Sequence, residues 1–323
     1  MTQGKITDIA ILALPLRTRF RQIQTREIAI FRGERWAEFS PFIEYDDSES
    51  SQWLKAALSW ANDPLPRLQR KAIGVNATLP AVANSEIERV LEPFGAFRTI
   101  KIKVADKDSL IDDDLERIRR VRKLYPDVRI RLDANGGFSV DEALDLAEKT
   151  QELGLEYFEQ PVATVSELKQ LKQKLIERNI ALKIAADESI RKASDPLLVA
   201  REQAADIAVL KVQPLGGIVA ALKIAQDCGL EVVVSSALES SIGISQGLYL
   251  AGALPELNHD CGLATAALLA ADVTDKSLVA VNGEIQIQEV EPTDELIDQY
   301  SLSGERKDWW LRRIDRCWSL LES

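Results

Sequence analysis

Six polar residues recur along this chain at nearly even spacing. Lys103, Asp133, Glu159, Asp187, Lys211 and Ser235 are separated by 30, 26, 28, 24 and 24 residues. Each closes a short apolar run, and each interval has the length of one strand plus one helix. Side chains so placed converge on one rim of a parallel sheet. Asp133, Glu159 and Asp187 would form a hard, all-oxygen cluster suited to Mg2+, with Mn2+ as a substitute. Any one of these acids is explained by a helix cap or an ion pair. Three at successive strand ends point to a metal, because uncompensated carboxylates at one rim repel.

Lysines flank the trio on both sides, Lys103 before it and Lys211 after it. In the stretch "TIKIKVAD", residues 99–106, Lys101 and Lys103 fall on one strand face and Ile100, Ile102 and Val104 on the other. Alone, that pattern describes an edge strand showing lysines to water. Beside three acids it reads differently. A lysine serves as a general base only if its pKa falls toward neutrality, and a second ammonium, a nearby metal and burial all favour the neutral amine. Lys103, nearer the rim, is the candidate base and Lys101 its electrostatic partner. Such a set abstracts a proton alpha to a carboxylate and holds the resulting enediolate with Mg2+ and ammonium groups.

The elements that must position these residues are legible as a rhythm. Strands are expected at 72–78, 99–105, 128–135, 155–161, 182–188, 207–213, 230–236 and 257–262. Amphipathic helices such as "SVDEALDLAEKTQELG" and "SELKQLKQKLIERN" lie between them. Eight such units favour a closed parallel barrel over an open doubly wound sheet. Ahead of it, residues 5–45 read as short antiparallel strands with a polar, basic loop at 17–25. A helix at 48–62 follows, capped by Ser48 or Ser50. Strand character resumes at 277–290, and the terminal amphipathic helix "ERKDWWLRRIDRCWSLLES" can pack on the N-terminal segment through Trp309, Trp310 and Trp318. The expected division is an N-terminal capping segment at 1–70, the barrel at 71–275 and a return to the cap at 276–323.

Composition narrows the function. The 323 residues carry a net charge of −11, which argues against nucleic acid or an anionic membrane as partner but not against a small anionic carboxylate in a locally positive site. The three cysteines, Cys228, Cys261 and Cys317, have no metal-type spacing and fit a reducing cytoplasm. The N-terminal apolar run, broken by Asp8 and Pro15, is too short and polar for a signal peptide or a membrane span. His259 is the only histidine, which removes histidine triads and multi-histidine zinc sites.

The K-x-K of "IKIKV", D-x-N of "LDANGGF", E of "YFEQP", D-E of "AADES" and K of "VLKVQPLGG" together resemble the enolase superfamily, in its muconate-lactonizing-like subgroup. The resemblance covers nearly the whole chain and implies an α/β fold, a (β/α)7β TIM-like barrel with an α+β cap completed by the C-terminal tail. Two further stretches, "VVVSSALESSIGI" and "CGLATAALLAADV", are similar to the o-succinylbenzoate synthase family of menaquinone and phylloquinone biosynthesis. That likeness implies a hydro-lyase acting on 2-succinyl-6-hydroxy-2,4-cyclohexadiene-1-carboxylate. Lys103 would remove the alpha proton and assist hydroxide departure from the same face, and Lys211 would stabilise the anion. Lys101 would contact the substrate carboxylate, with Asn135 behind the metal site. Ser235, Leu238 and Gly262 would contact the succinyl arm.

The rival on the same scaffold is epimerisation of a dipeptide or racemisation of an N-succinylamino acid, with one lysine removing and the other returning the proton. Dipeptide epimerases usually carry an acidic D-x-D near the eighth strand, and "CGLATAA" has none. A non-catalytic barrel predicts damage to the lysines or acids, and they are intact. Of the remaining residues, Arg17, Arg19 and Phe20 read as part of a lid. Arg131 reads as a buried counter-ion for the carboxylates, Glu239 as a partner for backbone groups, and His259 as a packed, hydrogen-bonded histidine. Gly216 and Gly217 read equally as a phosphate cup or a close-approach turn.

Overall fold

The computed structural model describes residues 6–20, 22–107 and 109–322. Lys5, Arg21 and Ser323, which fall within expected elements, lie outside the described residues. The chain opens with strands β1 (Thr7–Phe20), β2 (Ile23–Arg32) and β3 (Trp36–Phe39), an antiparallel sheet in the order β1-β2-β3. Its alternation decides what it covers. Leu12, Leu14, Ile28 and Ile30 pack with Ile242, Leu269 and Val273 toward the barrel. Ile11, Ala29, Phe31, Ala37 and Phe39 belong to a second cluster that holds Trp53 and Trp310. Those two tryptophans come from the helices Asp47–Asn62 and Gly304–Glu322, which lie against each other on the outer face.

Two expectations fail here. The polar segment 17–25 is no loop: β1 and β2 run through it, with register contact down to Phe20 opposite Ile23. The pairing is interrupted between Pro15 and Phe20 and resumes at Phe20, and this end of the hairpin reaches the barrel mouth, where Gln22 Nε2 donates to Asp106 Oδ1 at 3.1 Å. The helix cap is Asp46, accepting from the Glu49 amide at 2.7 Å, rather than Ser48 or Ser50. A carboxylate also answers the positive end of the helix dipole better than a hydroxyl does.

A short strand β4 (Ala72–Gly74) precedes seven parallel strands: β5 (Ala77–Leu79), β6 (Thr99–Lys103), β7 (Arg129–Asp133), β8 (Leu155–Glu159), β9 (Lys183–Ala186), β10 (Ile207–Leu210) and β11 (Glu231–Val234). Their order is that of the sequence, the mark of repeated right-handed βαβ units. The expected eighth strand at 257–262 shrinks to Cys261 and Gly262, yet these two residues close the ring. Cys261 N donates to Gly74 O at 2.7 Å and Gly262 N to Val234 O at 2.8 Å. Asn76 N and Ser236 N return the bonds at 3.0 Å each. The tail's strand character survives only in β12 (Glu284–Gln286), which pairs with β4 at the barrel base. The chain then returns to the cap, where Leu302 N donates to Ile11 O.

The barrel base carries a chain of polar side chains, buried at Arg131 and His259 and partly exposed at Glu156 and Glu231. Arg131 Nε donates to Glu156 Oε2 at 2.6 Å, and His259 bridges Glu156 Oε1 at 3.0 Å and Glu231 Oε2 at 2.8 Å. Burial alone would push the Glu156 carboxyl up, but the hydrogen bonds from His259 and Arg131 outweigh it and hold the group at about 2, against an ordinary 4.5. A carboxyl held low in the folded state stabilises it fully above pH 4.5, and that contribution is lost as pH falls toward 2. Glu156→Gln should therefore cost roughly 2–3 kcal/mol in denaturant unfolding at pH 7. The gap between variant and wild type should narrow as pH drops from 4.5. A gap independent of pH would contradict this account.

Candidate active site

Strand register sets the rim. Lys103 pairs with Asp133, Asp133 with Glu159, and Glu159 with Ala185, two residues before Asp187. Alternation turns Lys101, Lys103, Arg131, Asp133, Tyr157 and Glu159 to the same face. That face is the barrel interior, where Tyr157 packs with Ala185, Ile207, Val209 and Val233.

Asp133, Glu159 and Asp187 are at most 1 % exposed. Buried carboxylates need positive charge or hydrogen bonds, and here four cationic side chains answer them. Lys101 Nζ sits 3.0 Å from both Asp133 Oδ2 and Glu159 Oε2. Lys103 Nζ donates to Asp133 Oδ2 at 2.5 Å and to Asn135 Oδ1 at 2.7 Å. Lys211 Nζ donates to Asp187 Oδ2 at 2.6 Å, and Arg191 Nε to Asp187 Oδ1 at 3.0 Å. The oxygens turn to these cations, and among the described residues no three acidic, histidine or cysteine side chains enclose a common point.

The protonation pattern follows. Burial works against the charge of Asp133, but Lys101 and Lys103 overcome it and hold the carboxyl below the usual range. Burial likewise opposes Asp187, which Lys211 and Arg191 bring down to about 2. Glu159 goes the other way, to about 7, through burial and then the charge of Asp133, with Lys101 only partly offsetting them. The Lys101 ammonium is penalised by burial yet raised well above its ordinary value by Asp133 and Glu159. Lys103 is lowered, chiefly by burial and further by Lys101, against the pull of Asp133. The two lysines of one strand face are thus driven apart.

Above the lysines lies a cavity of about 40 Å³. Ser235, Leu238 and Gly262 form one wall, and Phe20, Phe42 and Tyr45 of the cap form its roof. Gly262 is fitted closely: a Cβ there would lie 2.4 Å from Ser235 Oγ. An open cleft of about 980 Å³ adjoins it and shares Phe20, Lys103 and Asn135. The structure thus gathers Lys101, Lys103, Asp133, Asn135, Lys211, Ser235, Leu238 and Gly262 on one cavity. Glu159 reaches it through Lys101 and Asp187 through Lys211.

Arg131 needs correction. Its hydrogen bonds go to Glu156, to Asn76 Oδ1 at 3.0 Å and to Asp260 O at 2.5 Å, one layer below the carboxylates it was expected to balance. Two residues of strand, about 6.6 Å, separate those layers. Gly216 and Gly217 form no cup: a Cβ on Gly216 would lie 2.9 Å from Gln52 Oε1, and Gly217 packs on Ala56 and Ser59 of the first helix. Glu239 does take a backbone donor, Ala237 N at 2.5 Å. Phe42, Tyr45 and Arg191 were missed. None ends a barrel strand, and only the returning cap brings the first two to the mouth. Arg191 lies four residues after Asp187, the spacing at which a side chain reaches back one helical turn.

A closed parallel barrel, a cap over its mouth and lysines about an acidic rim together define an enolase-like protein. Residues 83–292 match the enolase C-terminal domain-like family and residues 11–61 the enolase N-terminal domain-like family. The chain is 46% identical over 321 residues to a Mycobacterium tuberculosis protein named o-succinylbenzoate synthase, covering 99% of this chain and 96% of that one. It is 45% identical to the protein of that name from Mycobacterium ulcerans, covering 97% and 94%. It therefore belongs to the enolase superfamily and, within it, to the o-succinylbenzoate synthase family. Solved structures repeat the fold at low identity. Muconate lactonizing enzyme from Pseudomonas fluorescens matches at 20% identity and TM-score 0.77, covering 93% of this chain and 99% of that one. N-succinyl Arg/Lys racemase from Bacillus cereus matches at 18% and TM-score 0.78, covering 91% and 97%. Members of the superfamily generally bind a divalent metal, usually Mg2+. Among the described residues no helix is long and apolar enough to cross a membrane.

Proposed function

We infer that the chain dehydrates 2-succinyl-6-hydroxy-2,4-cyclohexadiene-1-carboxylate to 2-succinylbenzoate. Kinship over nearly the whole chain carries this reading. The site supplies the chemistry. Lys103, its pKa lowered, accepts the proton alpha to the ring carboxylate. The C–H electron pair moves into the ring, the C–O bond breaks, and the Lys103 ammonium returns the proton to the departing hydroxide as water. Lys211 stabilises the negative charge that builds on the substrate carboxylate. Lys101, held charged, lowers the affinity of Lys103 for a proton and faces the same carboxylate. Ser235, Leu238 and Gly262 contact the succinyl arm, and Asn135 orients Lys103 through its 2.7 Å bond. Phe20, Phe42 and Tyr45 keep water from the reacting carbon.

The donor set fits a divalent ion: three buried carboxylates with oxygen donors only, on neighbouring strands. Asp133, Glu159 and Asp187 would hold Mg2+, whose charge supplies further stabilisation of the substrate carboxylate. The lysines now bonded to those acids would then be available to substrate.

Formation of 2-succinylbenzoate, followed by its ultraviolet absorbance in Mg2+ buffer, tests the reading directly. Exchange of the alpha proton of N-succinylamino acids in deuterium oxide, run in parallel, tests the racemase alternative. We expect rapid aromatisation of the diene, and exchange without aromatisation would replace our reading with the alternative. Lys103→Ala should lower kcat by about 10³-fold or more with little change in unfolding temperature. Comparable turnover by that variant would remove Lys103 from the role of base. Treatment with EDTA should stop turnover and Mg2+ restore it. Mg2+ should also raise the unfolding temperature of wild type but not of Asp187→Asn; an equal rise in both would exclude Asp187 as a ligand.

A further inference from the structure

One wall of the cavity is set in an unfavourable backbone conformation. Leu238, 1 % exposed, has φ +64°, in the left-handed region that a leucine rarely occupies. Such a residue persists only where its surroundings enforce it. The enforcing group comes from the cap. Arg26 lies on β2, 212 residues away in sequence and 2 % exposed, and its Nε donates to Leu238 O at 3.1 Å. Its Nη2 donates to Ala237 O at 3.4 Å and to Ser40 O. Its guanidinium carbon stands 4.2 Å from the ring centre of Phe42, which forms part of the cavity roof. One planar cation thus holds the carbonyls of the wall and stacks on the roof, a task that lysine's single nitrogen cannot perform.

Glu38, on β3, fastens the far end of the same segment. Its carboxylate accepts from Ser240 N at 3.1 Å, Ser240 Oγ at 2.5 Å and Gly243 N at 3.1 Å. These groups open the helix Ser241–Ala253, so the cap supplies that helix with an N-terminal carboxylate. Gly243 makes room for it: a Cβ there would lie 2.4 Å from Glu239 Cβ and 3.0 Å from Glu38 Cδ. None of these contacts touches the reacting atoms.

We propose that Arg26 is a positioning residue that fixes the substrate-facing wall by holding Leu238 in its left-handed conformation, with Glu38 anchoring the segment behind it. The part that concerns substrate rests on the dehydratase reading; the clamp itself does not. Hydrogen–deuterium exchange on the free protein tests the clamp. In Arg26→Met the amides of residues 236–240 should exchange faster while those of the barrel strands stay protected. Unchanged exchange would overturn the clamp whatever the substrate.

Kinetics then test its consequence. Arg26→Met should raise KM about tenfold and leave kcat within about threefold, because uniform binding is lost rather than transition-state stabilisation. Arg26→Lys, which keeps the buried charge, should fold like wild type and restore KM only in part. In a Leu238→Gly background, where the left-handed conformation costs nothing, Arg26→Met should add much less than it does alone. Full additivity, or an unchanged KM with only a lower unfolding temperature, would reduce Arg26 to a structural tie. If wild type fails to dehydrate the diene, the functional reading falls and the exchange experiment still decides the clamp.

Discussion

Three carboxylates buried on one rim are tolerable only with positive charge among them, and this constraint organises the barrel mouth. Lys101, Lys103, Lys211 and Arg191 supply it, the lysines from neighbouring strands and Arg191 from the helical turn that follows Asp187. The compensation is uneven. Asp133 is flanked by two ammoniums and stays ionised, whereas Glu159, buried and then crowded by Asp133 and Asp187, rises to about 7. The unevenness passes to the lysines. Lys101, between two acids, is fixed as a cation, and its charge bears on Lys103 two residues away. Burial lowers Lys103 and the charge of Lys101 lowers it further, so depth and an unequal partner together make the base.

The cap does more than cover the mouth. Alternation along β2 and β3 sends Ile28 and Ile30 to the barrel and Ala29 and Phe31 to the outer helices. Register places Glu38 opposite Ile30, on the barrel side, and Arg26 shares that side two residues before Ile28. Glu27 faces the other way and accepts from Trp310 Nε1 at 2.7 Å. One strand therefore binds the C-terminal helix with odd residues and the cavity wall with even ones. A one-residue slip would exchange the two sets, so the outer packing also secures the register on which the wall depends.

Legibility in the sequence followed the range of the interactions. Lys103, Asp133, Glu159, Asp187 and Lys211 could be read because each ends a repeat whose length is fixed locally by one strand and one helix. The eighth strand was overdrawn because closure needs only Cys261 and Gly262, whose partners Gly74 and Val234 are known only from the fold. The segment 17–25 looked like a loop because its charges hide the ladder that β2 provides. Arg131 was assigned to the wrong acids for a similar reason. Its face of the strand was right, but depth within the barrel is a tertiary quantity. Nothing local connects Arg26 to Leu238, and no pattern in one sequence marks a left-handed leucine.

The electrostatics also bear on which reaction the scaffold favours. Racemisation needs two lysines of exchangeable role, one taking a proton that the other delivers. Dehydration of a cyclohexadiene needs one proton-transferring lysine on the face shared by the hydrogen and the hydroxyl, and a cation opposite it. The two lysines here are not equivalent. Lys103 is lowered by burial and by Lys101, whereas Lys211 is tied to Asp187, which Arg191 also holds. Both lysines hold a carboxylate, Lys103 that of Asp133 and Lys211 that of Asp187, but Lys103 also has the second ammonium of Lys101 two residues away on its own strand face, and that asymmetry runs with elimination.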